Sequence, residues 1–175
     1  MGSGSRRQFE EVADAGSVLA AGELGAQVAI LARAGYRIVH GGYNGVMEAA
    51  ARGAAAHGAE ITALTLAGRP EWGPLNPFVT HARYASTMGE RLHAYLDEAD
   101  LVVAIGGGVG TLHEITAALY YATAVRTLPV RLLGRRACAL AQTLRRDQWL
   151  VETPTRPLGF LRELPSAAAL ERDLS

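Results

Sequence analysis

The chain has 175 residues, 49% of them hydrophobic, which is enough apolar material for one core but short for two. Acidic and basic side chains balance at seventeen each, so no bulk attraction to nucleic acid or to a membrane surface is expected, and any anion site must be local. All seventeen basic residues are arginine. Without lysine there is neither a Schiff-base anchor for pyridoxal phosphate, which excludes a PLP lysine decarboxylase, nor the cation of a Walker-type phosphate loop. The single cysteine, Cys138, permits no internal disulfide and reads as a packing thiol in the apolar stretch Ala137–Leu140.

Taken in chain order, residues 1–7 contain Gly2-Ser3-Gly4-Ser5, read as flexible, and lack the apolar stretch of a signal peptide. No segment approaches the roughly 20 apolar residues of a membrane span, so a cytoplasmic location is expected. Helical spacing from about Ser17 to Ala34 ends at Gly35, and Tyr36–His40 reads as a buried strand stopping at Gly41-Gly42. A helix from Val46 to about His57 closes at Gly58, and Glu60–Leu66 reads as a second strand. Glycine and proline breaks mark Ala67–Pro77 as a surface loop, and Val79–Ala85 adds an extended segment. Thr87–Glu98 is a helix with Met88, Leu92, Tyr95 and Leu96 on one side; Leu101–Ile105 is a third strand. A helix opening at Thr111 runs to about Thr123, followed by a strand at Pro129–Leu133 and a helix at Ala137–Arg146. A last strand, Leu158–Leu164, and helix, Ser166–Asp173, complete the chain. Short apolar strands alternating with helices predict an α/β fold: a Rossmann-like doubly wound parallel sheet with helices on both faces, in a single nucleotide-binding domain over 1–175. The arginines at 131, 135, 136, 145 and 146 read as a solvated helix face or a subunit contact, with no nucleic acid partner.

Two loops carry the chemistry. In Ile105-Gly-Gly-Gly-Val-Gly-Thr-Leu-His-Glu114 a strand ends, glycines follow and a helix begins. That grammar places free backbone amides at the carboxyl edge of a parallel sheet, where a phosphate is the natural occupant. His40-Gly-Gly-Tyr-Asn-Gly-Val-Met-Glu48 repeats it. Thr111-x-x-Glu114 is either a capping box or a hydroxyl donor followed by a catalytic carboxylate, and spacing alone leaves both open. His113 is a possible ligand contact. His40, at the end of a buried strand, reads as a hydrogen-bonded structural histidine, and Glu48 equally as a surface charge or a site residue. His57, His81 and His93 have no partners at metal-ligand spacing, so neither metal nor other cofactor is expected.

At these residues the sequence resembles the LOG (Lonely Guy) family of phosphoribohydrolases, often mislabelled lysine decarboxylases. Gly106–Glu114 matches that family's P-G-G-x-G-T-x-x-E with glycine for the proline, Met88-Gly-Glu-Arg91 matches its M-x-x-R, and Gly41-Gly42-Tyr43-Asn44-Gly45-Val46-Met47 matches its G-G-x-x-G-x-M. Leu92 stands where the family has lysine after the arginine, and little strand precedes the Gly-Ser segment at 2–5. The resemblance implies hydrolysis of the N-glycosidic bond of a nucleoside 5′-monophosphate, either AMP or a cytokinin riboside monophosphate, to free base and ribose 5-phosphate. It implies Arg91 and Glu114 as catalytic residues and Gly42, Asn44, Gly45, Met88, Gly107, Gly108, Gly110 and Thr111 as substrate-binding residues. A homodimer is also implied. The alternative is a non-catalytic nucleotide-binding or molybdenum-cofactor carrier protein.

Overall fold

The computed structural model describes residues 15–106 and 108–175. The Gly-Ser segment at 2–5 and Gly107 therefore lie outside the described residues. In chain order the elements are α1 (Ala15–Arg33), β1 (Ile38–His40), α2 (Val46–Ala55), β2 (Ile61–Leu66), β3 (His81–Ala85), α3 (Met88–Glu98), β4 (Val102–Ala104), α4 (Val109–Ala124), β5 (Val130–Leu133), α5 (Gly134–Arg146), β6 (Leu161–Leu164) and α6 (Ala167–Leu174), with one 3₁₀ turn at Pro70–Trp72. The strands form two three-stranded sheets, ordered β1-β2-β3 and β4-β5-β6. β1 pairs with β2 in parallel, as do β4 with β5 and β5 with β6. The architecture is α/β and Rossmann-like, as the alternation of apolar runs and helical spacing predicts. Among the described residues no helix is long and apolar enough to cross a membrane.

The chain divides into two compact units: the described part of Met1–Ala63 with Trp72–His81, and Leu64–Glu71 with Ala82–Ser175. In the first unit α1 ends as its sequence predicts. Gly35, at φ +87°, lets its own amide bond to Ala32 and that of Tyr36 bond to Leu31, so two terminal carbonyls of the helix are satisfied. Helices α1 and α2 meet at two glycines. A Cβ at Gly53 would lie 2.0 Å from the Gly25 carbonyl oxygen, so only the absence of a side chain permits that approach.

In the second unit the core lies around β4-β5-β6. Leu96 of α3, Ile115, Ala118 and Leu119 of α4, Val130 and Leu132 of β5, and Ala137 and Ala141 of α5 are all buried in one cluster. Small residues on the helices let them lie close to the sheet, while β-branched and leucine side chains fill the strands. Arg126 closes the α3 end: its Nη2 donates to the carbonyls of Leu96, Asp97 and Ala99, carbonyls that a helix C-terminus leaves unpaired. Helix α6 is tied down by Asp173, whose nearly inaccessible carboxylate pairs with Arg131 of β5 and Arg162 of β6. Burial pushes that carboxyl group upward, but the hydrogen bonds and charges of the two arginines outweigh it and hold it below the usual carboxylate range. Cys138 donates to the Leu132 carbonyl at 3.2 Å, and partial burial pushes its thiol up, in keeping with a packing role.

Two boundaries differ from the sequence reading in a way that bears on the site. Helix α4 begins at Val109 rather than Thr111, because Gly108 is extended (φ −95°, ψ −153°) and serves as N-cap, and a glycine in a first helical turn forgoes little. Helix α5 begins at Gly134, three residues before the expected Ala137, with Arg135 and Arg136 in its exposed first turn. Arginines at a helix N-terminus oppose the helix dipole, which is why the sequence pattern placed the start later.

Candidate functional site

In the second unit, β4 delivers the chain at Ala104 into the glycine turn, and the turn delivers it into α4. The first helical bond runs from the Leu112 amide to the Gly108 carbonyl at 3.1 Å, so the amides of Val109, Gly110 and Thr111 precede the intrahelical ladder. Gly108, Val109 and Gly110 are exposed, and no acidic side chain sits in the first turn of α4. The turn is therefore an open, electropositive helix start, suited to an anion.

With Gly108 as N-cap, Thr111 lies within the first turn and makes no capping bond, so the capping box at Thr111–Glu114 is not formed. The capping arrangement lies on α3 instead. There Thr87 Oγ1 accepts from the Glu90 amide at 3.0 Å, and Glu90 Oε2 accepts from the Ser86 amide at 2.7 Å. This fixes the first turn of α3, on which Met88, 44% exposed, and Arg91 lie three residues apart and hence side by side.

Arg91 and Glu114 meet. Arg91 Nη2 is 3.1 Å from Glu114 Oε1, and Arg91 Nε donates to the Leu64 carbonyl at 2.8 Å. The arginine side chain is only 14% exposed and the glutamate 33%, so the pair is partly desolvated yet the carboxylate reaches solvent. Tyr95 completes the group: the Arg91 guanidinium carbon lies 5.5 Å from its ring centroid. Burial above all, then the negative charge of Glu114, pushes the Tyr95 phenol far up, with Arg91 pulling weakly the other way. The phenol stays neutral at any working pH. Tyr95 is the residue the motif reading misses. Its signal is its position, one turn after Arg91 on the same face of α3. Leu92, where the resembling family has lysine, packs against the core and supplies no charge. His113 is exposed.

The other glycine loop belongs to the first unit. His40 is 9% exposed, and its Nδ1 accepts from the Gly42 amide at 2.8 Å, as a structural histidine should. The proton of the neutral ring is therefore on Nε2, which is buried without a hydrogen-bond partner among the described residues. Burial lowers the ring to about 4. Gly42 has φ +87°, and a Cβ there would lie 2.4 Å from the Ala63 Cβ, so both conformation and space demand glycine. Buried Asn76 bridges the loop: its Nδ2 donates to the carbonyls of Gly42 and Tyr43, and its Oδ1 accepts from the Phe78 amide. Tyr43 meets Trp72 edge-to-face at 5.5 Å, and Asn44 and Gly45 are exposed. Nothing in the local pattern announces Asn76, which lies in a loop of glycine and proline breaks. Among the described residues no cluster of metal-ligating side chains occurs.

Residues 1–158 match the family model described as the SLOG cluster4 family. A curated protein of Archaeoglobus fulgidus, itself uncharacterised, is 33% identical over 110 residues, covering 61% of this chain and 70% of its own length. Among solved structures the chain is similar to TM1055 (TM-score 0.69, 23% identity, 93% of this chain and 91% of that one). It is also similar to the molybdenum cofactor binding protein of Rippkaea orientalis (TM-score 0.65, 22% identity, 87% and 86%) and to the molybdenum cofactor carrier protein of Chlamydomonas reinhardtii (0.65, 22%, 92% and 87%). At these identities the solved structures establish the fold.

Proposed function

The chain belongs to the SLOG cluster4 family, and on that premise we propose that it is a nucleoside 5′-monophosphate phosphoribohydrolase. The observation that carries the reading is the Arg91–Glu114 pair, 3.1 Å apart and one helical turn beyond an open glycine turn. The amides of Val109, Gly110 and Thr111, with the Thr111 hydroxyl, hold the 5′-phosphate at the start of α4. The phosphate takes no part in bond breaking, but its binding energy aligns the ribose with the Glu114 carboxylate. Water adds to C1′ as the C1′–N bond breaks, and the base leaves with the bonding pair and takes up a proton. Positive charge develops on the ribose in the transition state, and the Glu114 carboxylate stabilises it while orienting the water. Arg91, whose guanidinium always carries its charge, pairs with Glu114 and offers its remaining N–H groups to substrate oxygens.

The test is release of ribose 5-phosphate from a panel of mononucleotides beginning with AMP. Glu114→Gln keeps the shape and removes the charge, and it should lower kcat by about 10²–10³-fold, the scale of losing one transition-state electrostatic contact. A folded protein silent on the whole panel refutes the hydrolase reading. The second reading, a non-catalytic carrier of a phosphorylated pterin such as the molybdenum cofactor, draws support from two of the solved relatives and from Leu92, which stands uncharged where the LOG motif has its lysine. Ligand-dependent melting without turnover favours it.

A further inference from the structure

We propose that Tyr95 is a positioning residue for the Arg91–Glu114 pair, its ring fixing the plane of the guanidinium so that one edge meets Glu114 and the free N–H groups face the ligand. The proposal rests on the functional reading above for its kinetic consequence, but its structural half stands without it.

The guanidinium is bounded on three sides. Its Nε is committed to the Leu64 carbonyl at 2.8 Å and its Nη2 to Glu114 at 3.1 Å, and the Tyr95 ring lies 5.5 Å from its central carbon. One hydrogen bond and one ion pair alone leave a planar cation free to rock about the line joining them. An aromatic face removes that freedom, because the attraction of a cation to the ring's negative face depends on keeping the contact within about 6 Å. The contact is strengthened by desolvation, since the arginine side chain is 14% exposed. Spacing supplies the geometry: residues four apart on α3 share a face, so the helix that presents Arg91 also presents its platform. Because the phenol stays neutral, it competes with neither Glu114 for the arginine's charge nor Arg91 for the glutamate's. Leu92 faces the core, so the following position contributes no cation that could substitute for a misplaced Arg91.

Two substitutions separate the ring's electronic face from its volume: Tyr95→Phe keeps the face and loses the hydroxyl, while Tyr95→Leu keeps an apolar side chain and loses the face. In the ligand-free protein, the Arg91 Nε–H resonance, assigned by its disappearance in Arg91→Lys, should show the upfield ring-current shift and slow solvent exchange in wild type and Tyr95→Phe. Both features should vanish in Tyr95→Leu. With AMP as substrate, Tyr95→Phe should stay within about threefold of wild-type kcat, and Tyr95→Leu should fall about 10–30-fold in kcat, the range for a desolvated cation–aromatic contact. Should Tyr95→Leu not fold, Tyr95→Met supplies a flexible apolar replacement of similar reach. An Arg91 signal unchanged in the folded Leu or Met variant overturns the proposal, as does a loss in Tyr95→Phe equal to that in Tyr95→Leu. Wild-type protein inactive on AMP and on the rest of the mononucleotide panel would sink the hydrolase reading alone, since the resonance comparison still decides the role of Tyr95.

Discussion

Protonating His40 should unlock the Gly41–Gly45 loop, and the cost can be worked from the structure. The neutral ring accepts the Gly42 amide proton at Nδ1, 2.8 Å away. A second ring proton has only Nδ1 to occupy, where it would face the Gly42 N–H donor to donor. Burial has already lowered the ring to about 4, whereas an unfolded histidine titrates near 6.5. The folded value lies below the unfolded one, so the unfolded chain binds more protons between the two. The stability contributed by the neutral ring is fully present above about pH 6.5 and is lost progressively as pH falls towards 4. At full development the loss is about 3 kcal/mol, a large share of a stability of about 5–15 kcal/mol. Urea unfolding at pH 7 and at pH 4.5 should show it, with wild type losing about 2.5 kcal/mol more than His40→Asn. The asparagine carbonyl oxygen takes the place of Nδ1 as acceptor and does not titrate, so the variant loses some packing at every pH but not the acid-dependent part. The ring resonances of His40 should stay flat down to about pH 5. Parallel pH curves for the two proteins, or a His40 ring titrating near 6.5, would refute the reasoning.

Gly53→Ala adds a methyl group where the Gly25 carbonyl oxygen would be 2.0 Å away. Alanine favours the helix by about 1 kcal/mol, yet a net loss of about 1–3 kcal/mol in thermal unfolding is expected because α1 and α2 must separate. Asp173→Asn removes the anion shared by Arg131 and Arg162, whose side chains are 13% and 59% exposed. Stranding the buried arginine should cost about 3 kcal/mol and speed amide exchange in α6 relative to α3. The native ion pairs' contribution is present above the unfolded carboxyl range and fades as pH falls through the lower folded value.

Much of the fold was legible because β1, β2, β4 and β5 lie in short, largely apolar runs. Ile61–Leu66 is buried at every position, and the caps at Gly35 and Gly58 fall where helical spacing stops. Boundaries were lost where a local rule was overridden by tertiary context. Gly110 looks like a helix breaker but sits in a first turn, and Arg135 and Arg136 oppose a helix dipole whose stability comes from buried Ala137 and Ala141. Of the candidate site, Arg91 and Glu114 were legible as motif positions, but their contact was not, since it depends on how α3 and α4 pack. The Leu64 carbonyl that holds Arg91 comes from a strand distant in sequence, and a carbonyl has no side-chain signature at all.

The register of one helix start decides what Glu114 is free to do. Were Thr111 the N-cap, Glu114 would be the third helical residue, and its carboxylate would turn back to the N-cap amide as in a capping box. Gly108 caps instead, so Glu114 stands six residues in, beyond reach of the terminus, with its own amide inside the ladder. The carboxylate then has no local partner to satisfy and extends to Arg91. The same shift brings Thr111 into the first turn, beside the amides that precede the ladder. An open helix start and a displaced acidic side chain therefore follow from one cause, the glycine run that lets α4 begin three residues before a Thr111 cap would allow. The hydrolase proposed above needs its acid deeper along the helix than the amides that would take the phosphate, and a cap at Gly108 supplies that order.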